Sequence, residues 1–268
     1  MKKDSINSNI PNRIKNILKF CLGPYIYTDV RINSWYQYGR HHQAPLFPYK
    51  EIQVRTENIT YKSKGVEIAP EAEIYTHVIG GDWDQDLYLF DEFCPTPSIY
   101  QRYNNNRSWE DTTLYKSATE KLNTGSIRSC VSQTSIKSLN AYIDRFESVD
   151  DLNKQCEDID ILYNSIKEEG FKSCKERSIL GASFRWFRRD NIQVNVGRDG
   201  EIIQKDGKHR LAVCKAIGIK KLPVMVVVRH KQWQSIRDEV YSTKYKSNLS
   251  ANAIKHLDHP DIEYLHNW

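Results

Sequence analysis

Apolar and polar residues alternate from Ile192 to Val196, the spacing of a strand with one buried face. Gly197-Arg198-Asp199-Gly200 follows, and its Asp-Gly pair favours a tight hairpin turn. Glu201 to Gln204 reads as the returning strand, broken by Asp206-Gly207. Leu211, Cys214 and Ile217 then recur at helical spacing, and Gly218 supplies the stop. Pro223 opens an apolar run, Val224 to Val228, that predicts a buried strand with its proline at the start, where a missing N–H is tolerated. Upstream, Leu152, Cys156, Ile159, Leu162, Tyr163 and Ile166 form one stripe of a helix that Ser148 caps and Gly170 ends.

The first half of the chain is patterned less regularly. Pro11 to Leu22 predicts a short basic amphipathic helix, either docked on its own domain or lying on an anionic membrane surface. Ser34 to Tyr49 reads as an ordered loop. Ile52 to Val54, Val66 to Ile68 and Ile74 to Ile79 read as strands, the last running into Gly80-Gly81-Asp82-Trp83-Asp84. From Tyr100 to Leu122 the pattern is helical, and Ser108-Trp109-Glu110-Asp111 has the form of a capping box. Ser129 to Ser138 is a polar connection. After the core, Trp233 to Tyr241 predicts a helix, Ser250 a further cap, and His259-Pro260 a stop. These elements predict an α/β (α+β) fold in three parts. An N-terminal α+β region, 1–147, packs on a core, 148–232, and a helical tail, 233–268, follows.

The order strand, turn, helix, strand places Lys208-His209-Arg210 on the first turn of a helix. Free backbone N–H groups and the helix dipole collect there, so an anion is favoured. An arginine grips phosphate oxygens with two donors, and a histidine donates a hydrogen bond without needing charge. A His-Arg pair that merely satisfies the start of a helix is the alternative.

The segment from about Leu152 to Arg229 resembles the ParB/sulfiredoxin superfamily. Leu162-Tyr163-Asn164-Ser165-Ile166-Lys167-Glu168-Glu169-Gly170 is similar to that family's opening helix, and Asp206-Gly207-Lys208-His209-Arg210-Leu211-Ala212 to its phosphate-binding box. Gly218-Ile219 with Leu222-Pro223-Val224 matches its helix-to-strand exit. The likeness covers under a third of the chain and none of it before about residue 150. Partition-type ParB proteins carry an acidic-arginine-arginine box, from which His209-Arg210 departs. Sulfiredoxins place a cysteine where this chain has Lys208, so their thiol chemistry is not implied. The Asp-Gly-x-His-Arg form looks most like the free-serine-kinase branch. It implies a ParB/sulfiredoxin-like core and phosphoryl transfer from a nucleotide, ATP or ADP with CTP as the alternative, assisted by Mg2+. Gly207, Lys208, His209 and Arg210 would hold the phosphates. The branch also implies a glutamate base in the opening helix, carried over to Glu168, with Glu169 one position away. Fold-level likeness does not by itself fix a function.

Composition narrows these classes. The 268 residues suffice for one large or two small domains. A mean hydropathy of −0.66 and the absence of any long apolar run speak against a membrane span, and with no convincing signal peptide a cytoplasmic address is the default expectation. Six cysteines stand far apart without a Cys-x-x-Cys pair, which predicts buried thiols rather than a zinc site or disulfide framework. The net charge of +5 is spread along the chain and permits, without demanding, a phosphate-bearing partner.

Outside the box, Asp206 is read either as a magnesium or His209-orienting carboxylate or as a turn cap. Asp82, Trp83 and Asp84, after two glycines, are read as the acceptor-binding element, suited to Mg2+ or a polyhydroxyl substrate, or as a plain tight turn. His230, at a strand end, is a candidate neighbour of the box. The expectation is a nucleotide-dependent kinase acting on a hydroxyl of a small molecule or glycan, with Glu168, Asp206 and His209 catalytic. The alternative is a ParB-like nucleotide- or DNA-binding protein without kinase activity.

Overall fold

The computed structural model describes residues 39–47, 50–63, 77–128, 133–173 and 191–266. The Pro11–Leu22 helix, the Val66–Ile68 strand, the first half of the Ile74–Ile79 strand and both ends of the Ser34–Tyr49 loop lie outside the described residues. The strands are β1 (Glu51–Arg55), β2 (Tyr61–Ser63), β3 (His77–Ile79), β4 (Leu87–Leu89), β5 (Ile192–Val196), β6 (Ile202–Asp206) and β7 (Lys221–His230). The helices are α1 (Thr96–Tyr103), α2 (Thr113–Thr124), α3 (Gln133–Ile143), α4 (Val149–Glu169), α5 (Lys208–Ile217), α6 (Lys231–Ser242) and α7 (Ala251–Lys255). The fold is thus mixed α/β.

All seven strands join one mixed sheet in the order β1-β7-β5-β6-β2-β4. β7 is its axis. β5 runs parallel to it along one side, while β1 pairs antiparallel with its first half and β3 parallel with its end on the other side. The sheet is shared: β1 to β4 come from the N-terminal region and β5 to β7 from the expected core, so the boundary at 147/148 runs through a single sheet. The β5–β6 hairpin turns at Gly200, whose φ is +88° and where a Cβ would lie 2.8 Å from the Trp233 ring. Neither the dihedral nor the space admits another residue.

One face of the sheet carries the main apolar core. Leu222, Val224 and Val226 of β7, Ile192, Val194 and Val196 of β5, and Ile52 and Val54 of β1 join α4 and α5 there. In α5, Leu211, Ala212, Val213 and Cys214 are fully buried, and a buried leucine of this kind stabilises by roughly 1.5–3 kcal/mol. α4 forms as its sequence predicts. The Ser148 hydroxyl accepts the Asp151 N–H while the Asp151 carboxylate accepts the Ser148 N–H. Its buried stripe is Leu152, Cys156, Ile159 and Ile166.

Two expectations change. The helical stretch from Tyr100 to Leu122 is two helices, broken after Tyr103 where Asn106 adopts φ 52°. Ser108 accordingly caps no α-helix. Its hydroxyl donates to the Asp111 carboxylate at 3.2 Å, and Thr112 caps α2 by accepting the Tyr115 N–H. The polar connection expected over Ser129 to Ser138 is helical from Gln133, because Leu139, Tyr142 and Ile143 further along give that helix a buried face. Cys94, Cys156 and Cys214 are buried free thiols, and among the described residues no helix is long and apolar enough to cross a membrane.

The tail is pinned by one carboxylate. Asp261 is fully buried and takes Arg229 Nε at 2.8 Å, Arg229 Nη2 at 2.6 Å and Trp233 Nε1 at 3.0 Å. Burial alone would raise its carboxyl, but the Arg229 and Arg237 charges outweigh that and hold it well below the usual range. Removing one partner of a buried pair leaves the other charge uncompensated. Asp261→Ala should therefore lower unfolding stability in urea by about 3–5 kcal/mol, and a change under about 1 kcal/mol, the range of an exposed pair, would show that the network is not structural.

Candidate functional site

β6 ends at Asp206, and the chain must turn at once to start α5. Gly207 makes that turn with φ +78°, packed so closely on β5 that a Cβ would sit 3.0 Å from both the Asn191 carbonyl oxygen and Ile192 Cα. The Asp206 carboxylate accepts the Gly207 N–H at 2.7 Å, a turn-capping role. No side chain caps the N-terminus of α5. Its first turn presents Lys208, His209 and Arg210, all half-buried.

His209 Nε2 lies 2.7 Å from the Tyr142 hydroxyl at the end of α3. Burial, reinforced by the charges of Lys208, Arg145 and Arg210, pushes the imidazole down to about 3. His209 is therefore neutral at physiological pH and acts through hydrogen bonds. Lys208 Nζ stands 4.3 Å from the Tyr142 ring centroid and 5.7 Å from that of Phe93. It has no hydrogen bond or ion pair among the described residues. Burial, with the Arg145 charge, lowers it to about 8.

Lys62, from β2, joins the same place. Its ammonium lies 5.0 Å from the Phe93 centroid and donates to Gln204 Oε1 at 3.0 Å and the Lys205 carbonyl at 3.4 Å. Burial lowers it too, to about 8, against the opposing pull of Asp206. The Arg145 guanidinium packs 4.8 Å from the Tyr142 centroid. Cys94 adds no negative charge, since burial pushes its thiol up to about 12 despite Lys208 and Arg145. Three cations thus converge around Tyr142 and Phe93, and the one carboxylate nearby, Asp206, is exposed and in no ion pair among the described residues. Such a set could hold an anion with several oxygens, of which phosphate is one.

Asp206, Gly207, Lys208, His209 and Arg210 are therefore together, as their adjacency requires. Glu168 is exposed near the end of α4 and makes no hydrogen bond or ion pair with the box among the described residues. Asp82, Trp83 and Asp84 sit at the far end of the β5–β6 hairpin, one strand length or about 16 Å from the box. Asp84 receives Arg198 N at 2.7 Å and Nε at 3.0 Å, and Asp82 receives Arg198 Nη2 at 2.8 Å. Burial would raise the Asp84 carboxyl, but the Arg198 hydrogen bonds outweigh it and hold it low. Trp83 Nε1 donates to the Ile79 carbonyl at 3.3 Å. The triplet ties its loop to the hairpin turn. His230 lies at that same end, 2.9 Å from the Gly81 carbonyl, and not beside the box.

Tyr142, Lys62, Arg145 and Gln204 are not singled out by any motif. Tyr142 is 67 positions from His209, and Lys62 is 142 from Gln204. At the other end of α5 a cleft of about 470 Å³ is lined by Arg55, Glu57, Asp91, Tyr100 and Lys215. Two ion pairs lie within it, Asp91 with Lys215 at 3.1 Å and Arg55 with Glu57 at 2.9 Å, and Lys220 also lines it. Lys208 and Lys62 are in no ion pair among the described residues. Magnesium commonly takes one or two carboxylates and completes its shell with substrate phosphates and water. Asp206 is the one carboxylate of the box that could contribute to such a shell, and among the described residues no cluster of three or more metal-ligating side chains occurs.

No protein-family model, curated protein or solved structure matches this chain.

A buried ammonium without an anion is a cost to the free protein. Lys208→Met should therefore stabilise the unliganded protein at pH 7, by about 1–2 kcal/mol. The sign with pH follows. The folded-state value of about 8 lies below the ordinary 10.5, so the folded protein binds fewer protons between them. The wild type should gain stability as pH rises from 8 toward 10.5, and the variant should lack that component. Chemical denaturation of both proteins across this range reads the difference.

Proposed function

We propose that the protein binds the phosphates of a nucleotide at the head of α5 and transfers a phosphoryl group to a hydroxyl of a small molecule or glycan. The observation that carries this reading is the Lys208 ammonium, desolvated and without an anionic partner among the described residues, at the uncapped start of a helix. The resemblance of the 206–210 box to the kinase branch of the ParB/sulfiredoxin superfamily supports the nucleotide class.

Phosphoryl transfer depends mostly on positioning and on neutralising charge. In this reading Lys208, Lys62 and Arg145 neutralise phosphate oxygens, and backbone N–H groups of the first turn orient them. His209, neutral and held by Tyr142, can offer its remaining ring nitrogen to an oxygen without adding charge. Asp206 is the carboxylate at hand for the acceptor hydroxyl, or for Mg2+ shared with the phosphates.

That Glu168 makes no hydrogen bond or ion pair with the box among the described residues favours a second reading, binding of the same nucleotide without transfer. Peripheral membrane contact and DNA binding remain the other partner classes that the sequence suggests.

The test is thermal stability with ATP, ADP, CTP and GTP, each with magnesium, for the wild type, Lys208→Met and Arg210→Ala. A ligand that binds only the folded state raises the melting temperature, with about 2.7 kcal/mol of stabilisation at a hundredfold excess over Kd. One nucleotide should stabilise the wild type and neither variant to the same degree. Consumption of that nucleotide on adding hydroxylated acceptors distinguishes transfer from binding alone. Affinity should also fall as pH rises through about 8, because Lys62 and Lys208 lose charge there in the free protein. Equal nucleotide affinity in the wild type and Lys208→Met would refute the placement of the phosphates.

A further inference from the structure

Strand register places Tyr88, Lys62, Gln204, Val194 and Val226 in one row across β4, β2, β6, β5 and β7. Paired residues share a face, and this row faces α5, since Val194 and Val226 belong to the core beneath it. Gln204 is an unusual member of the row. It is 0% exposed, its Oε1 accepts from Lys62, and its Nε2 has no hydrogen-bond partner. Buried amide nitrogens are rarely left so. Lys62 uses two donors, toward Gln204 and the Lys205 carbonyl, of the three an ammonium owns. One lysine donor and the Gln204 amide donors therefore stand unused, side by side.

Gln204 precedes Asp206 by two residues on β6. This pair lies about 7 Å along the strand from the turn that opens α5, a gap reached from both sides by long side chains. Lys62 and Lys208 flank the same Phe93 ring, at 5.0 and 5.7 Å from its centroid.

We infer that Lys62 and Gln204 form a second phosphoryl subsite, so that the ligand carries at least two linked phosphates, one at the head of α5 and one against this pair. The inference rests on the phosphate reading above and deepens it by assigning the residues that sense chain length. Lys208 and the first turn of α5 hold the first group. Lys62 and Gln204 contribute three donors to oxygens of the second. A monophosphate leaves those donors unused.

Calorimetric titration with inorganic phosphate, pyrophosphate and tripolyphosphate at constant ionic strength tests this on the wild type, Lys62→Met, Gln204→Glu and Lys208→Met. Gln204→Glu keeps the shape of the residue and pairs with Lys62, so it serves where Lys62→Met fails to fold. Melting curves report the fold of each. The wild type should bind pyrophosphate at least about tenfold more tightly than phosphate. Lys62→Met and Gln204→Glu should lose that increment and weaken phosphate binding much less than pyrophosphate binding, while Lys208→Met loses both. Equal binding of the two anions by the wild type would overturn the second subsite and leave the phosphate reading intact. Equal weakening of both anions in Lys62→Met or Gln204→Glu would do the same. Failure of the wild type to bind any of the three would overturn both.

Discussion

An ammonium group taken out of water needs an anion or a set of hydrogen-bond acceptors, and Lys208 has no ion pair or hydrogen bond among the described residues, only the longer-range pull of the exposed Asp206 carboxylate. Two aromatic rings soften the cost without removing it, since a cation over a ring face is worth on the order of 0.5–2 kcal/mol. Lys62 and Arg145 add to the positive field instead of relieving it. The contrast with Asp261 elsewhere in the molecule is instructive. There, two arginines and an indole converge on one buried carboxylate, and each cation is in an ion pair. Lys208 is in none among the described residues, and that difference is the physical basis for placing a ligand there.

The scaffold explains why the cations can be held in this state. Lys208 is fixed by Gly207, whose tight approach to β5 leaves no freedom in the direction of α5. Lys62 is fixed by its pairing between β4 and β6. Tyr142 is fixed by the buried face of α3 and by Phe146, whose ring meets its own edge-on at 5.7 Å. Each group arrives on a different element: α3 and α5 are anchored in the core, and β2 is held by its pairing with β4 and β6. The energy that confines the charges comes from that apolar burial. Function-bearing groups of this kind ordinarily lower the stability of the free protein, which is recovered when the ligand binds.

Sequence and structure agree most closely where local rules decide. The Asp199-Gly200 turn, the Gly207 break, the α5 stripe, the Gly218 stop and the Ser148 cap are local signals, and each appears where it is expected. The Ser108 motif matched one turn too early because Thr112 offers the same chemistry to the helix that actually forms. The site itself was half legible. The box is contiguous, so its residues stay together in any fold. Lys62, Gln204, Arg145 and Tyr142 meet it only through strand pairing and helix packing across long stretches of chain, which spacing does not report. Asp82 and Asp84 looked like a binding element because paired carboxylates suit a metal or a sugar. Their partner, Arg198, sits in a hairpin turn over a hundred positions away and could not be anticipated.

The most direct measurement is a nitrogen-detected NMR titration of the Lys208 side chain, alone and with the stabilising nucleotide or pyrophosphate. A Lys208 ammonium that is buried and waiting for an anion should titrate near 8 in the free protein and move upward when the anion binds. A value near the ordinary 10.5 in the free protein, or no movement on adding saturating ligand, would contradict the account.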